Sequence, residues 1–194
     1  MTRKREPEVT GETVVAAGRF IILKRLDWLD SAGVRRTWEA ADRPGEGGAV
    51  VIIPWLRPSG RLLHIRQFRP PARRQVLEFP AGLAEAGEEP AAAAARELRE
   101  ETGYTAREIR IRPAAYSSAG LSGEAVYTAE AEIDENAPEN IFPETRFDPS
   151  ENIEAILVPG RELIDFRRRG IAGGIAFDAK LAAWLDGLAA AGGL

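Results

Sequence analysis

The sequence of 194 residues holds no cysteine and a single histidine. Without a thiol there is no disulfide, no thiolate zinc centre and no cysteine nucleophile. The one imidazole, His64, lies in the apolar run RLLHIRQF and reads as a structural or surface residue, which leaves a serine–histidine–acid triad without its base. Positive charge is also in short supply: 26 lysines and arginines face 30 aspartates and glutamates, a formal net charge of −4. Such a chain has no field to hold nucleic acid by counterion release, and the short clusters Arg73-Arg74 and Arg167-Arg168-Arg169 read as surface solvation. Long apolar runs are missing too. None approaches the roughly 20 residues that span a bilayer, and no apolar core with a cleavage site follows the charged N-terminus. These absences predict a soluble, cytoplasmic protein with no nucleic-acid and no membrane partner.

What is present is enough apolar residue, 44% of the chain, for one sizeable core with an N-terminal appendage. Residues 1–12 are polar and expected to be flexible. Residues 13–44 carry the β-rich segments TVVAA, RFIILKRLDWL and VRRTWEAA, the last two separated by a turn at residues 30–33, and predict an antiparallel sheet. A glycine-rich link at 42–48 leads into the main domain, residues 45–194. There the pattern predicts a hairpin AVVIIPWL/RLLHIRQF, strands near 107–117 and 125–133, the strand NIEAILVP, and helices near 161–169 and 177–190. Trp28, Trp55 and Trp184 lie in no motif and read as packing residues.

The chemistry concentrates in residues 82–104, GLAEAGEEPAAAAARELREETGY. Pro90 suits the first helical position, Glu88 and Glu89 favour the positive end of the helix dipole, and Gly103 supplies the stop. At 100° per residue Ala91, Ala94, Ala95, Leu98 and Thr102 share one side, small enough to lie against a sheet. Glu97, Glu100 and Glu101 fall on another arc, where like charges three or four residues apart repel by roughly 0.2–0.5 kcal/mol per pair. Arg96 can pair with Glu100, but one arginine cannot neutralise three carboxylates and Glu88. Mg²⁺ prefers carboxylate oxygens together with substrate phosphates, so this arc predicts a divalent-metal site.

Gly82, five residues, Glu88, seven residues, then Arg96-Glu97-Leu98-x-Glu100-Glu101-x-Gly103 and a bulky residue resembles the Nudix box of the Nudix hydrolase superfamily at every fixed position. Tyr104 at its end is familiar in the ADP-ribose (ADP-sugar) pyrophosphatase branch. RTWE at 36–39, RQFRPP at 66–71 and EFPAG at 78–82 extend that resemblance over nearly the whole chain from about residue 19. The resemblance implies an α/β fold: an α/β/α sandwich with a mixed sheet, plus an exchanged N-terminal antiparallel sheet that makes a homodimer with shared active sites. It implies Mg²⁺, replaceable by Mn²⁺, held by the backbone carbonyl of Ala81 and by Glu97, Glu101 and Glu100. It carries Arg69 to the pyrophosphate, Trp38 and Phe20 to the two faces of adenine, Glu39 to the base edge, and Arg43 to the substrate from the partner subunit. One departure stands out. Where many bacterial members have Ser-Pro-Gly, this chain reads Ser118-Ala119-Gly120, which loosens the assignment of ADP-ribose over another nucleoside diphosphate sugar but removes no metal ligand.

Residues 134–151, with three prolines and no periodicity, read as a lid. Glu151 at its end, just before a strand, is the leading candidate for the general base, with Glu124 second and Glu100 a further catalytic carboxylate. The expected reaction is Mg²⁺-dependent hydrolysis of ADP-ribose to AMP and ribose 5-phosphate. GDP-mannose or another nucleoside diphosphate sugar is the alternative substrate, and a noncatalytic ADP-ribose-binding module the alternative class.

Overall fold

The computed structural model describes residues 5–44, 48–146 and 152–193. In chain order the strands are β1 (Glu8–Ala17), β2 (Ile22–Leu29), β3 (Arg35–Asp42), β4 (Ala49–Arg57), β5 (Arg61–Arg69), β6 (Arg74–Glu78), β7 (Ala81–Leu83), β8 (Glu108–Ile111), β9 (Ala115–Tyr116), β10 (Ala125–Asp134), β11 (Ile153–Pro159) and β12 (Ala176–Phe177). The helices are α1 (Pro90–Thr102), α2 (Pro138–Ile141), α3 (Leu163–Ala172) and α4 (Ala179–Ala190). They form two units, Met1–Gly48 with Ala114–Val126, and Ala49–Pro113 with Tyr127–Leu194.

In the first unit β1, β2 and β3 make an antiparallel sheet in that order. The β2–β3 turn forms where the sequence places it, because the Asp30 carboxylate accepts from the backbone N–H groups of Ala32 and Val34, both at 2.9 Å, and Gly33 takes a positive φ of 79°. The Val34 bond, more than any other interaction, holds the Asp30 carboxyl below its ordinary pKa. β1 starts at Glu8, pairing Glu8 with Leu29 and Val9 with Trp28, so residues 8–12 are strand and not flexible terminus. Their polarity is no obstacle: β1 is exposed along almost its whole length, and a two-sided exposed strand needs no apolar alternation. Residues 114–126, expected in the main domain, belong here instead. Ala41 donates to the Leu121 carbonyl at 2.8 Å, and the Asp42 carboxylate accepts from the Gly123 N–H at 3.1 Å.

The second unit is built on a mixed sheet. Strands β12, β6, β5, β4, β10 and β8 run side by side, with β11 on β5 and β7 on β4, and β12 lies parallel to β6. The apolar run of β4 is buried on both faces, as a strand covered on both sides requires. On one face α1 lays Ala93, Ala94 and Leu98 onto Val50, Ile52, Leu56, Leu63 and Ala131. On the other, α3 and α4 cover the sheet with Leu163, Leu181 and Leu185 fully buried and an aromatic cluster of Phe79, Phe166, Phe177, Trp55 and Trp184. Each fully buried leucine contributes roughly 1.5–3 kcal/mol. The expected α/β/α sandwich with a mixed sheet is therefore observed.

Two expectations change here. The buried arc of α1 is Ala93, Ala94, Leu98, Glu101 and Thr102, while Ala91 and Ala95 are exposed. Periodicity could not separate these alanines, since five in a row fill every side of the helix. The segment from residue 134 is also no free lid as far as Arg146. Asn140 in α2 accepts from the Thr105 N–H (2.8 Å) and donates to the Thr105 and Asp134 carbonyls (3.0 and 2.8 Å), and Arg146 N–H reaches the Glu100 carbonyl at 2.8 Å. A buried amide with all these bonds made fastens the segment to the C-terminal end of α1.

Candidate active site

The site is assembled where α1 passes over β7. α1 begins at Pro90 after Glu89 as N-cap and ends at Gly103, whose φ of 76° and bond to the Arg99 carbonyl close it. Burying Leu98 and Ala94 rotates Glu101 towards the sheet, where it is only 7% exposed and accepts from the Ala81 N–H at 3.0 Å. One residue on, Gly82 leaves room for Glu97. A Cβ on Gly82 would lie 1.9 Å from the Glu97 carboxyl carbon, so the Glu97 carboxylate rests directly on the backbone. The box thus brings Ala81, Gly82, Glu97 and Glu101 together, with Glu100 on the outer side of the helix.

Arg96 organises the outer carboxylates. Its guanidinium donates to Glu88 (2.9 and 3.1 Å), to Glu97 (2.8 Å), to Glu100 (3.1 Å) and to the Leu83 carbonyl (2.9 Å). The bond to Glu88 does most to raise the Arg96 pKa, and Arg96 in turn does most to hold Glu88 below the usual carboxylate range. Arg96 thus ties Glu88, Glu97 and Glu100 together on the outer side of the cradle. Among the described residues no three acidic or histidine side chains converge into a finished metal cage. The donor set nevertheless fits a hard divalent cation: carboxylate oxygens gathered beside a glycine cradle that a side chain would fill.

Arg69, at the end of β5, is held by a bidentate pair to Glu78, Nε to Oε1 at 2.7 Å and Nη2 to Oε2 at 2.8 Å. Glu78 is the main cause of the raised Arg69 pKa, with the charges of Glu101 and Asp178 adding to it. Arg69 therefore stands within electrostatic reach of Glu101, with its orientation fixed and part of the guanidinium exposed. Sequence reasoning assigned no role to Glu78. A carboxylate inside the otherwise apolar run VLEF, where β6 ends, was the signal available, since a buried charge demands a partner.

In the first unit Trp38 donates from Nε1 to the Gly120 carbonyl at 3.1 Å and keeps 51% of its surface exposed. The loop holding it is turned by Ser118, whose carbonyl accepts from Leu121 and Ser122, so the Ala119 departure leaves the turn intact. Phe20 is exposed but precedes β2, whereas Trp38 pairs with Leu26 well inside it, so one chain does not bring these two aromatics together. Glu39 lies opposite Arg25 and is exposed. Arg43 and Glu124, expected in separate roles, meet each other at 2.8 Å. The single bond leaves the terminal nitrogens of Arg43 and the second carboxylate oxygen of Glu124 outside the pair. Glu151 lies outside the described residues.

His64 has no part in this. It is 0% exposed, packed between the rings of Phe79 (5.9 Å) and Phe166 (5.5 Å). Neither ring nitrogen makes a hydrogen bond, a contact with the Ile156 backbone falling short of one, and burial pushes its pKa down to about 4. The histidine is structural, as one of the two sequence readings had it.

Residues 46–172 match the model of the NUDIX domain. The chain is 36% identical over 166 residues to the ADP-sugar pyrophosphatase of Mus musculus, covering 80% of this chain and 75% of that one. It is 34% identical over 149 residues to the ADP-ribose pyrophosphatase of Saccharomyces cerevisiae, covering 72% and 64% respectively. A crystal structure of an ADP compounds hydrolase superposes with a TM-score of 0.72 over 99% of both chains at 23% identity, which shows a common fold. The matched domain spans more than half of the sequence and contains the whole α1 cradle: the chain belongs to the Nudix family.

Proposed function

We propose that this protein hydrolyses the pyrophosphate of ADP-ribose and related ADP-sugars, giving AMP and a sugar phosphate, with a divalent cation, Mg²⁺ or Mn²⁺, as cofactor. The observation that carries it is the pair of carboxylates, Glu97 on the Gly82 backbone and Glu101 on the Ala81 N–H, with Glu101 within electrostatic reach of an arginine locked by Glu78. The names of the mouse and yeast relatives support the ADP-sugar substrate.

Glu97 and Glu101, with the Ala81 carbonyl and Glu100, would hold the cation. Bound there, it supplies Lewis-acid neutralisation of phosphate charge and a water of lowered pKa. The chain's own groups do the rest. Arg69, pre-set by Glu78, binds phosphate oxygens with the N–H groups that Glu78 leaves open, at little entropic cost. Trp38, steadied through its indole N–H, offers an exposed ring to the adenine, with Phe20 of a second subunit on the other face in a homodimer. Glu39 reads the base edge, and Arg43 of a second subunit reaches the substrate with the nitrogens that Glu124 leaves open. Glu151 accepts the proton of the attacking water.

The test is product analysis across ADP-ribose, other ADP-sugars and GDP-mannose, with Mg²⁺ and with EDTA. AMP and ribose 5-phosphate, formed only with the cation and fastest from ADP-ribose, are the expected result. Faster turnover of GDP-mannose would move the assignment to the other nucleoside diphosphate sugars.

A further inference from the structure

The basic pair Arg73-Arg74 has no part in this scheme, yet it borders a cavity. Between β6, β12 and α3 lies a space of about 560 Å³ whose lining includes Arg66, Arg73 and Arg74. Most of the other lining is apolar, with the buried Leu77, the half-buried Phe166 and the exposed Ile175 as its largest side chains. Among the described residues no acidic side chain lines it. A space of this size, largely apolar with a few charged groups, is the usual form of a small-molecule site.

The three arginines differ in their partners. Arg66 is paired with Glu154 of β11, which lies opposite it in the sheet. Among the described residues neither Arg73 nor Arg74 has a carboxylate at ion-pair distance. Arg73 is also the one non-glycine among them with a positive φ, 56°, held by N–H bonds to the Arg69 and Pro70 carbonyls at 2.9 and 3.1 Å. Glycine meets that geometry without strain, so an arginine there is carried at a cost to the backbone. An arginine that only solvates the surface needs neither that backbone nor an apolar cavity beside it.

We infer that this cavity is a second ligand site, taking a phosphate monoester with an apolar body: the phosphate on Arg73 and Arg74, the body against Leu77, Phe166 and Ile175. Two guanidiniums without a carboxylate match a phosphate monoester, which carries about two negative charges at neutral pH, whereas a carboxylate or a phosphodiester brings one. The apolar lining disfavours a sugar phosphate, whose hydroxyls would lose water there without gaining partners. Every lining residue belongs to the second unit and none to the α1 cradle, so the site does not depend on the hydrolysis proposed above.

The probe is 1-naphthyl phosphate, a fluorescent monoester, titrated into the full chain in EDTA, with 1-naphthol and inorganic phosphate as its two halves. Saturable binding of the ester is expected, with each half held at least about tenfold more weakly. Arg73→Gly with Arg74→Gln should weaken the ester at least about tenfold, the order of a lost charge-assisted contact. Glycine suits the backbone at position 73, so Arg73→Gly alone should melt no lower than the parent. Trp38→Ala should bind the ester as the parent does. No saturable binding, or parental affinity in the double variant, overturns the inference. So does 1-naphthol binding as tightly as its ester, which marks an apolar groove, or inorganic phosphate doing so, which marks a bare anion site. Loss of binding in Trp38→Ala also overturns it, by placing the probe on the adenine platform. If the double variant is unfolded, Arg73→Gly decides alone: folded with weakened binding supports the site, folded with parental affinity overturns it.

Discussion

β5 shows two different chemistries on its two faces. Its odd-numbered residues, Leu63, Ile65, Gln67 and Arg69, run under α1 from apolar core to a charged site. Its even-numbered residues include Leu62 and His64, buried among the rings of α3 and α4. Both faces bury a group that titrates or carries charge, and they resolve the problem in opposite ways. On the α1 face the carboxylates of Glu78 and Glu101 accept hydrogen bonds from Arg69 and the Ala81 backbone. On the far face the imidazole has no partner and gives up its proton. The buried acids are supplied with donors, and the buried base, packed among rings with none, is left neutral.

Substitutions at equivalent depth should therefore act on different observables. Glu101→Gln is expected to have the largest effect: its amide oxygen still accepts from Ala81 N–H, so the fold remains, while turnover drops by about two orders of magnitude or more as the anionic ligand is lost. Thermal melting alongside steady-state kinetics reads both, and parental turnover would dissolve the contrast. Gly82→Ala comes next. Its new methyl must push the Glu97 carboxylate aside, and a displacement of about 1 Å at a reacting centre costs on the order of 10²-fold in rate.

His64→Leu should leave kinetics untouched and change the pH dependence of stability. The unfolded chain protonates His64 below its ordinary pKa of 6.5, whereas the folded chain holds it neutral down to about 4. The neutral-histidine contribution is complete above about 6.5 and is lost as the pH falls from there to 4, a slope summing to about 3 kcal/mol. Denaturant titrations between pH 7 and 4 should show this slope in the parent and not in the variant. A change in kcat would mean that the two faces are not independent. Asp186→Asn should do least. Its bidentate pair with Arg167, at 3.0 and 3.1 Å, lies at the surface, so neither activity nor melting temperature should move measurably.

The same contrast explains what could be read from the sequence. The limits of α1 and the acidic arc it carries were legible because Pro90, Gly103 and the glutamate spacing are local signals, decided within a few turns of one helix. The β2–β3 turn was legible for the same reason, since Asp30 bonds to its own neighbours. Pairings between distant strands were not. Glu78 holding Arg69, Asn140 bridging to Thr105, and Arg43 meeting Glu124 each join residues 9 to 81 positions apart, which periodicity does not report. Glu101 shows the limit well: its place on the acidic arc was visible, but its burial depends on how far Leu98 turns the helix into the sheet.

Gly103 has a consequence for how this helix can change over generations. A Cβ there would come within 2.6 Å of the backbone of Pro143 and Glu144, just as one on Gly82 would strike Glu97. α1 is thus located by two close approaches, one under its middle at Glu97 and one at its C-terminal end, like a part held in a jig. Ala91, Ala92 and Ala95 are exposed and free to drift. Such drift can rewrite much of the exposed helix surface without moving the glutamates, because their position is gauged from the two glycine contacts and the buried Leu98, not from the exposed alanines.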